Sequence, residues 1–228
     1  MKDGVLAVWS DIDAEAEDDY TAWYEREHMF ERLQVPGIHR ARHYRTSAGE
    51  PKYFTYFELE NPAVVASAAY LRQANNSSPW TQRILPHFRN VNRTAARVVR
   101  RLGNGFGAMA MTVRLMIKGD HDRTLMALLG DDILPAIIQR PGIIAAQLWL
   151  ADRDATLRPV QDRNLRPQQD AVSDLVIFIE GTNVDSLQVL AGGALATDIL
   201  VAAWAANFPV TAIHQLLNGA DGNEAPRI

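Results

Sequence analysis

The residues best equipped for chemistry at neutral pH sit together in Trp23-Tyr24-Glu25-Arg26-Glu27-His28-Met29-Phe30-Glu31-Arg32. His28 has a side chain that titrates near neutrality and suits proton transfer, and Tyr24 and Arg32 stand one helical turn to either side at i, i+4 spacing. Such a trio can orient an anionic or phenolic ligand beside a general acid or base. On a wheel of about 100° per residue, Ala22, Trp23, Arg26, Met29, Phe30 and Leu33 form the mostly apolar side, and Tyr24, His28 and Arg32 share the other. The same wheel admits a plainer reading, a surface histidine on the polar side of an amphipathic helix.

Strand alternation adds further candidates. Trp9 and Asp11 share one face of a first strand, and Tyr56 and Glu58 one face of a third. Polar-tipped side chains of this size suit a ligand wall, or else a core in which each polar end finds a partner. His43 alternates with Arg42, so at most one of the two belongs to a given cavity. Metal ligation is not expected: the chain has no cysteine, and His39 and His43 are roughly 13 Å apart along a strand. A lone axial histidine for haem would have to be His28 or His214. Arg93, Arg97, Arg100 and Arg101 divide between strand faces and read as a solvated edge. Gly103-Asn104-Gly105-Phe106-Gly107 lies between two strands and reads as a joint, not a phosphate loop.

The elements that must hold these residues follow from start and stop signals. Pro36 has no N–H and forces Val35 out of helical geometry, and Gly37 tolerates the turn after it. Glu15 to Asp19 is acid-rich, suiting the positive end of a helix, and an Asp there can cap it; a helix over about 18–34 is predicted. Strands are predicted over 5–12, 38–46, 53–60 and 94–102. Asn61-Pro62 and Ser78-Pro79 start two helices between the third and fourth strands. The order is βαββαβ, a ferredoxin-like unit.

Beyond the glycine joint the order recurs. Strands are predicted over 108–117, 144–150, 173–181 and 211–217, with helices over 120–140, 184–196 and 198–206. Pro141-Gly142-Ile143 repeats Pro36-Gly37-Ile38 at an offset of 105, and Glu180 is matched to Glu60 at an offset of 120, leaving 15 extra residues in the second copy. They fall in a Pro-, Gln- and charge-rich loop over about 152–170, a candidate lid. The predicted division is residues 1–106 and 107–228. One ferredoxin-like sheet leaves a face bare, and pairing two bare faces closes a barrel. The expected fold is therefore α+β, two tandem repeats forming an intramolecular pseudo-dimeric barrel.

The chain has 228 residues, 47% hydrophobic and 22% charged, enough for one sizeable core or two small ones. The net charge of −4 argues against a nucleic-acid partner. No run approaches the roughly 20 apolar residues of a membrane span, and Met1-Lys2-Asp3-Gly4 opens no signal peptide. A cytoplasmic protein is expected, either a monomer or a homodimer of pseudo-dimers, with a small-molecule ligand and no cofactor.

Trp23-Tyr24-x-x-Glu27-His28-Met29, the exit Val35-Pro36-Gly37-Ile38 and the strand Arg40-Ala41-Arg42-His43-Tyr44 together resemble the EthD-like branch of the dimeric α/β-barrel superfamily. The detailed likeness covers about residues 5–60 and the layout nearly the whole chain. That superfamily includes small-molecule isomerases, cyclases, cofactor-free monooxygenases and haem-handling proteins, and its patterned histidine maps onto His28. The family often has proline two residues later, where Phe30 stands here, so a continuous helix aims His28 differently from a kinked one. At an offset of 105 the second copy has Ile133 in place of His28 and reads as scaffold. The resemblance implies an enzyme on a small aromatic or polyketide-like molecule with His28 as acid or base, and the spacing and alternation above add Trp9, Asp11, Tyr24, Arg32, His43, Tyr56 and Glu58 as candidates around the ligand. A binding protein without chemistry, or a pseudo-dimer with no open cavity, are the alternatives.

Overall fold

The computed structural model describes residues 2–203 and 209–222. Eight antiparallel strands close into one barrel in the order β1-β3-β2-β8-β5-β7-β6-β4. They are β1 (Gly4–Ile12), β2 (Ile38–Ala48), β3 (Tyr53–Leu59), β4 (Phe88–Gly103), β5 (Met109–Leu115), β6 (Ile143–Ala151), β7 (Leu175–Gly181) and β8 (Val210–Asp221). Each half contributes four neighbouring strands, and the halves join through β2 with β8 and β4 with β6. Closure leaves no strand edge unpaired, which a single half would expose twice.

Alternation gives each strand an inner and an outer face. Inside the barrel, Val5, Ala7, Trp9, Tyr44, Phe54, Tyr56, Trp149 and Phe178 are buried in a single cluster. Tyr56 lies flat on Trp149 with centroids 5.5 Å apart and 5° between planes, and Trp149 stacks on Phe178 at 4.8 Å. Polar bonds also cross between the halves: the Trp9 indole donates to Thr112 at 3.1 Å, and His214 bridges Thr112 and Thr46, each at 2.9 Å. The interior is filled, so ligand space has to lie outside it.

On the outer faces two separate cores form under the helices. The first is aromatic, with Tyr20, Trp23, Tyr24, Tyr53, Phe57, Tyr70 and Phe88; the second is aliphatic, built on Leu125, Leu129, Leu134, Ile137, Leu187 and Leu190.

The halves correspond closely in their turns. Both leading helices contain a π turn, Tyr24–His28 in one and Leu128–Ile133 in the other. Both end at a glycine of positive φ, Gly37 at 91° and Gly142 at 82°, where a side chain would be strained. Asn61 and Asn183 cap the corresponding later helices.

Three expectations need correcting. Gly4 faces Leu59 while Met109 faces Gly181, so the later offset is 122 and Glu180 corresponds to Glu58, not Glu60. The acidic run before the first helix provides no side-chain cap; Glu17 instead accepts the Tyr53 hydroxyl at 2.8 Å and pairs with Lys52. The loop over 152–170 contains the short helices Arg153–Leu157 and Gln161–Asn164, and its Ala155 and Val160 join the core of the first half. Among the described residues, no helix is long and apolar enough to cross a membrane.

Phe178 fills the middle of the barrel with no exposed surface. Phe178→Ala is expected to cost about 3–5 kcal/mol, read as a lower urea midpoint with an unchanged slope. A loss under 1 kcal/mol would show a loosely packed interior.

Candidate functional site

The π turn redirects the first helix. Tyr24 and Arg32 are buried, while Arg26, placed on the apolar side by the wheel, is exposed. A π turn takes in an extra residue, so every side chain after it rotates relative to a regular helix. The helix runs unbroken from Glu17 to Leu33 but is not regular, and the proline absent at Phe30 does not decide the turn: Pro135 stands at the matching place in the second half, and both halves carry it. His28 is neither a plain surface residue nor fully enclosed. Its residue as a whole is partly buried, but Nδ1 is sealed from solvent, and the ring stacks on Trp23 with centroids 4.2 Å apart.

Beneath this helix lies a partly enclosed cavity of about 50 Å³. Its floor is the outer face of β1 and β3, including Ser10 and Thr55, and its walls include Tyr70, Phe88 and Arg93. The insert from the second half closes it with Asp162 and Arg166. That volume holds a few waters, well short of the roughly 300–1,000 Å³ typical of small-molecule pockets.

The polar groups here are incompletely satisfied. Tyr24 Oη, His28 Nδ1 and Arg166 Nε are buried without a hydrogen-bond partner. Thr55 is near enough to influence the Tyr24 phenol, but not in bonding geometry. Arg32 pairs with Asp162 at 2.8 Å and donates to Gln73 at 3.2 Å. Arg93 donates to the Tyr70 hydroxyl at 3.1 Å and to the Thr156 carbonyl at 3.2 Å, both uncharged acceptors. Arg166 pairs with Asp170 at 2.7 Å. Behind the cavity, Tyr20 shares a hydrogen bond of 3.1 Å with His43 Nε2, and the His43 ring packs on Tyr24 at 4.1 Å.

These surroundings set the ionisation. Burial, reinforced by Arg32, Arg166 and His43, holds His28 well below the usual histidine range, so the ring is neutral. Burial alone lowers His43 to about 3, and burial with Arg114 lowers His214 to about 3. Burial pushes the Tyr24 phenol up. Tyr70 differs from its neighbours: burial pushes it up, but Arg93 and Arg32 outweigh that and leave it below the usual tyrosine value.

Of the sequence candidates, Tyr24, His28 and Arg32 meet at the cavity, with His43 just behind. Trp9 and Tyr56 do not join them. Both sit on the inner faces of their strands in the filled barrel, the opposite side from the helix. Glu58 lies on that same face and pairs with Arg40 at 3.6 Å. Asp11 lies beyond a bulge in β1 and accepts from the Lys52 backbone at 2.7 Å and Asn90 at 2.8 Å. His214 has hydroxyls on both ring nitrogens and none left for an axial bond. Asp13, Glu15 and His87 bring ligand-type atoms within 4.8 Å of one another, but Arg89 already compensates Asp13 at 2.6 Å.

Sequence reasoning missed Tyr20, Tyr70, Arg93, Asp162 and Arg166. Tyr20 extends the i, i+4 ladder of Tyr24, His28 and Arg32 by one step. Arg93 is grouped by sequence with Arg97, Arg100 and Arg101 as a solvated edge because the four divide between strand faces, but β4 begins at Phe88, earlier than predicted, and Arg93 is buried. Arg97, Arg100 and Arg101 are exposed, as expected.

Among the described residues, the second half has no such site. At the offset of 105, Ser10, Tyr20, Tyr24, His28 and Arg32 become Leu115, Leu125, Leu129, Ile133 and Ile137, all packed in or against its aliphatic core.

No protein-family model matches the sequence, and no curated protein does. Solved structures do match over nearly the full length. An anthrone oxidase-like protein shares 12% identity at a TM-score of 0.68, covering 99% of this chain and 96% of its own. A provisionally assigned monooxygenase of Lactobacillus acidophilus shares 6% at 0.58, covering 96% and 97%. Another from Fusobacterium nucleatum shares 12% at 0.57, covering 96% and 94%. At these identities the likeness is one of fold. The chain has the dimeric α/β-barrel fold, both ferredoxin-like halves being supplied by one polypeptide.

His43 and His214 are neutral when folded but titrate near 6.5 when unfolded. Between about 3 and 6.5 the unfolded chain therefore binds protons that the folded chain does not, so stability falls as pH falls through that window. The slope approaches roughly 1.4 kcal/mol per pH unit for each histidine, with His28 acting in the same direction. Urea midpoints are expected to drop between about pH 6.5 and 5 and to be level above 7, with a shallower drop in His214→Gln. A flat profile would show these rings protonated in the folded chain.

Proposed function

We propose that the cavity under the first helix is the active centre of an enzyme acting on a small aromatic or polyketide-like molecule, with His28 as the proton-transfer group. The observation that carries this is the pair of sealed, partnerless polar atoms, Tyr24 Oη and His28 Nδ1, facing a space whose counterpart is filled with leucine and isoleucine. A buried hydroxyl left unpaired costs about 1–3 kcal/mol, a penalty that the aliphatic copy avoids. Groups kept this way are ready to bond something that enters.

The roles follow from chemistry. A neutral imidazole with a free nitrogen takes a proton from an acidic C–H or phenol. Tyr24, protonated throughout the neutral range, donates to the ligand's oxygen. The arginines around Tyr70 stabilise negative charge as it develops, in a site shielded from water. Trp23 and Phe88 supply aromatic walls. This chemistry needs no cofactor. The anthrone oxidase-like and monooxygenase neighbours are in keeping with a polycyclic or phenolic substrate. The EthD-like branch remains the family proposed, on the residues from Trp23 to Tyr44.

One observation favours a second reading. A histidine held far below its usual range is a weak base, which suits a binding protein that performs no reaction.

Anthrone and 2-naphthol, followed by calorimetry for binding and by mass spectrometry for products, separate the two. The enzyme reading expects turnover that falls at least 100-fold in His28→Gln, with binding kept within a few-fold. Binding without product selects the second reading, and no binding of any aromatic probe overturns both.

A further inference from the structure

The cavity wall holds a carboxylate that does not belong to the repeat it serves. Asp162 lies in the insert of the second half, a segment with no equivalent in the first, yet it is buried against Arg32 of the first helix at 2.8 Å. Its other oxygen takes the Ser77 hydroxyl. Arg93, across the cavity, has only neutral acceptors. The pocket thus has a guanidinium wall in which one carboxylate seat is filled by the protein itself.

The same contact keeps the cavity shut. The insert is tied down at both ends: Asp152 N–H bonds the Ala95 carbonyl at 2.9 Å, and Ala171 exchanges backbone bonds with Val91 and Arg93 at 2.8 and 2.9 Å. Between those ties, most residues from Leu157 to Gln169 are exposed. Their hold on the first half includes Asp162, Val160, the Gln161 backbone bonded to Asn75, and the Arg166 guanidinium 5.3 Å over the Phe88 ring.

We infer that the ligand of this site is an aromatic carboxylate whose carboxylate takes the place of Asp162 on Arg32, and that this exchange releases the insert and opens the cavity. The inference rests on reading the cavity as a ligand site. Exchanging one carboxylate for another leaves Arg32 compensated throughout, whereas a neutral ligand would have to displace Asp162 and leave a buried guanidinium unpaired. The released Asp162 regains water. Selection for an anion is therefore built into the opening step.

The test compares 2-naphthoate with its neutral analogue 2-naphthalenemethanol on the full chain. Wild type is expected to bind naphthoate at least 10-fold tighter than the alcohol. Naphthoate, and not the alcohol, should speed trypsin cleavage at Arg163–Asn164, since Arg158 and Arg166 precede prolines and resist it. Asp162→Asn keeps the shape and removes the competing charge, so naphthoate should bind about 10-fold tighter and the alcohol within 2-fold of wild type. Ser77→Ala, which loosens Asp162 without touching Arg32, should shift naphthoate the same way by a smaller factor and serves if Asp162→Asn does not fold. Equal affinity for the two probes, unchanged naphthoate affinity in both variants, or protection of Arg163–Asn164 by naphthoate overturns this inference and leaves the ligand site standing. Failure of both probes to bind overturns the ligand site as well.

Discussion

The structure depends on two sheets covering each other's bare faces. A four-stranded sheet with helices on one side must bury its other side against something, and here the second copy in the same chain provides it. Stacked rings from both halves, Tyr56, Trp149 and Phe178 among them, then fill the barrel and leave no room for a ligand. Any site is driven outward into the layer between sheet and helix, where packing is one helix deep and can be left incomplete at less cost. There are two such layers, and the chain treats them in opposite ways.

In the second half the layer is closed with branched aliphatic residues, which need no polar partners and tolerate complete desolvation. In the first half the same backbone path, including the same π turn, carries tyrosine, histidine and arginine. Burying them is expensive unless they are bonded, and most are: Tyr20 to His43, Arg32 to Asp162, Arg93 to Tyr70. Tyr24 and His28 are the exceptions, and they sit side by side along the helix, their rings 5.6 Å apart. The shared turn shows that the helix geometry belongs to the fold, while the polar residues placed on it belong to one copy.

The sequence made the architecture legible because the signals for it are local and doubled. Pro36-Gly37 and Pro141-Gly142 end equivalent helices, and four strand patterns stand in the same order twice. The site was legible only along its helix. Tyr24, His28 and Arg32 could be grouped by i, i+4 spacing, but a wheel of constant angle could not show that the π turn swings them inward. Trp9 and Tyr56 were misplaced because alternation says which residues share a face, not which face meets the helix. Arg93 was grouped with three arginines that are exposed, and alternation alone could not show that its part of the strand lies under the helices. Asp162 and Arg166 lie in a segment without periodicity, about 130 residues from the helix they meet, and no local rule connects them.

That distant contact explains why a duplicated barrel, as opposed to a dimer of identical chains, matters for this site. In a dimer of identical subunits any lengthened loop appears twice and any polar substitution is made in both layers, so the cost of unpaired buried groups is doubled. A single chain can differ between its halves. One copy is then free to become a wholly apolar support, and its lengthened loop can cross over to cover the other copy's polar cavity without an equivalent covering its own. The Arg32–Asp162 pair uses that asymmetry: the first half supplies the cation, the second the anion and the segment that carries it. The closed state of the site is therefore a contact between the two repeats, and its opening is governed by the segment in which they differ most.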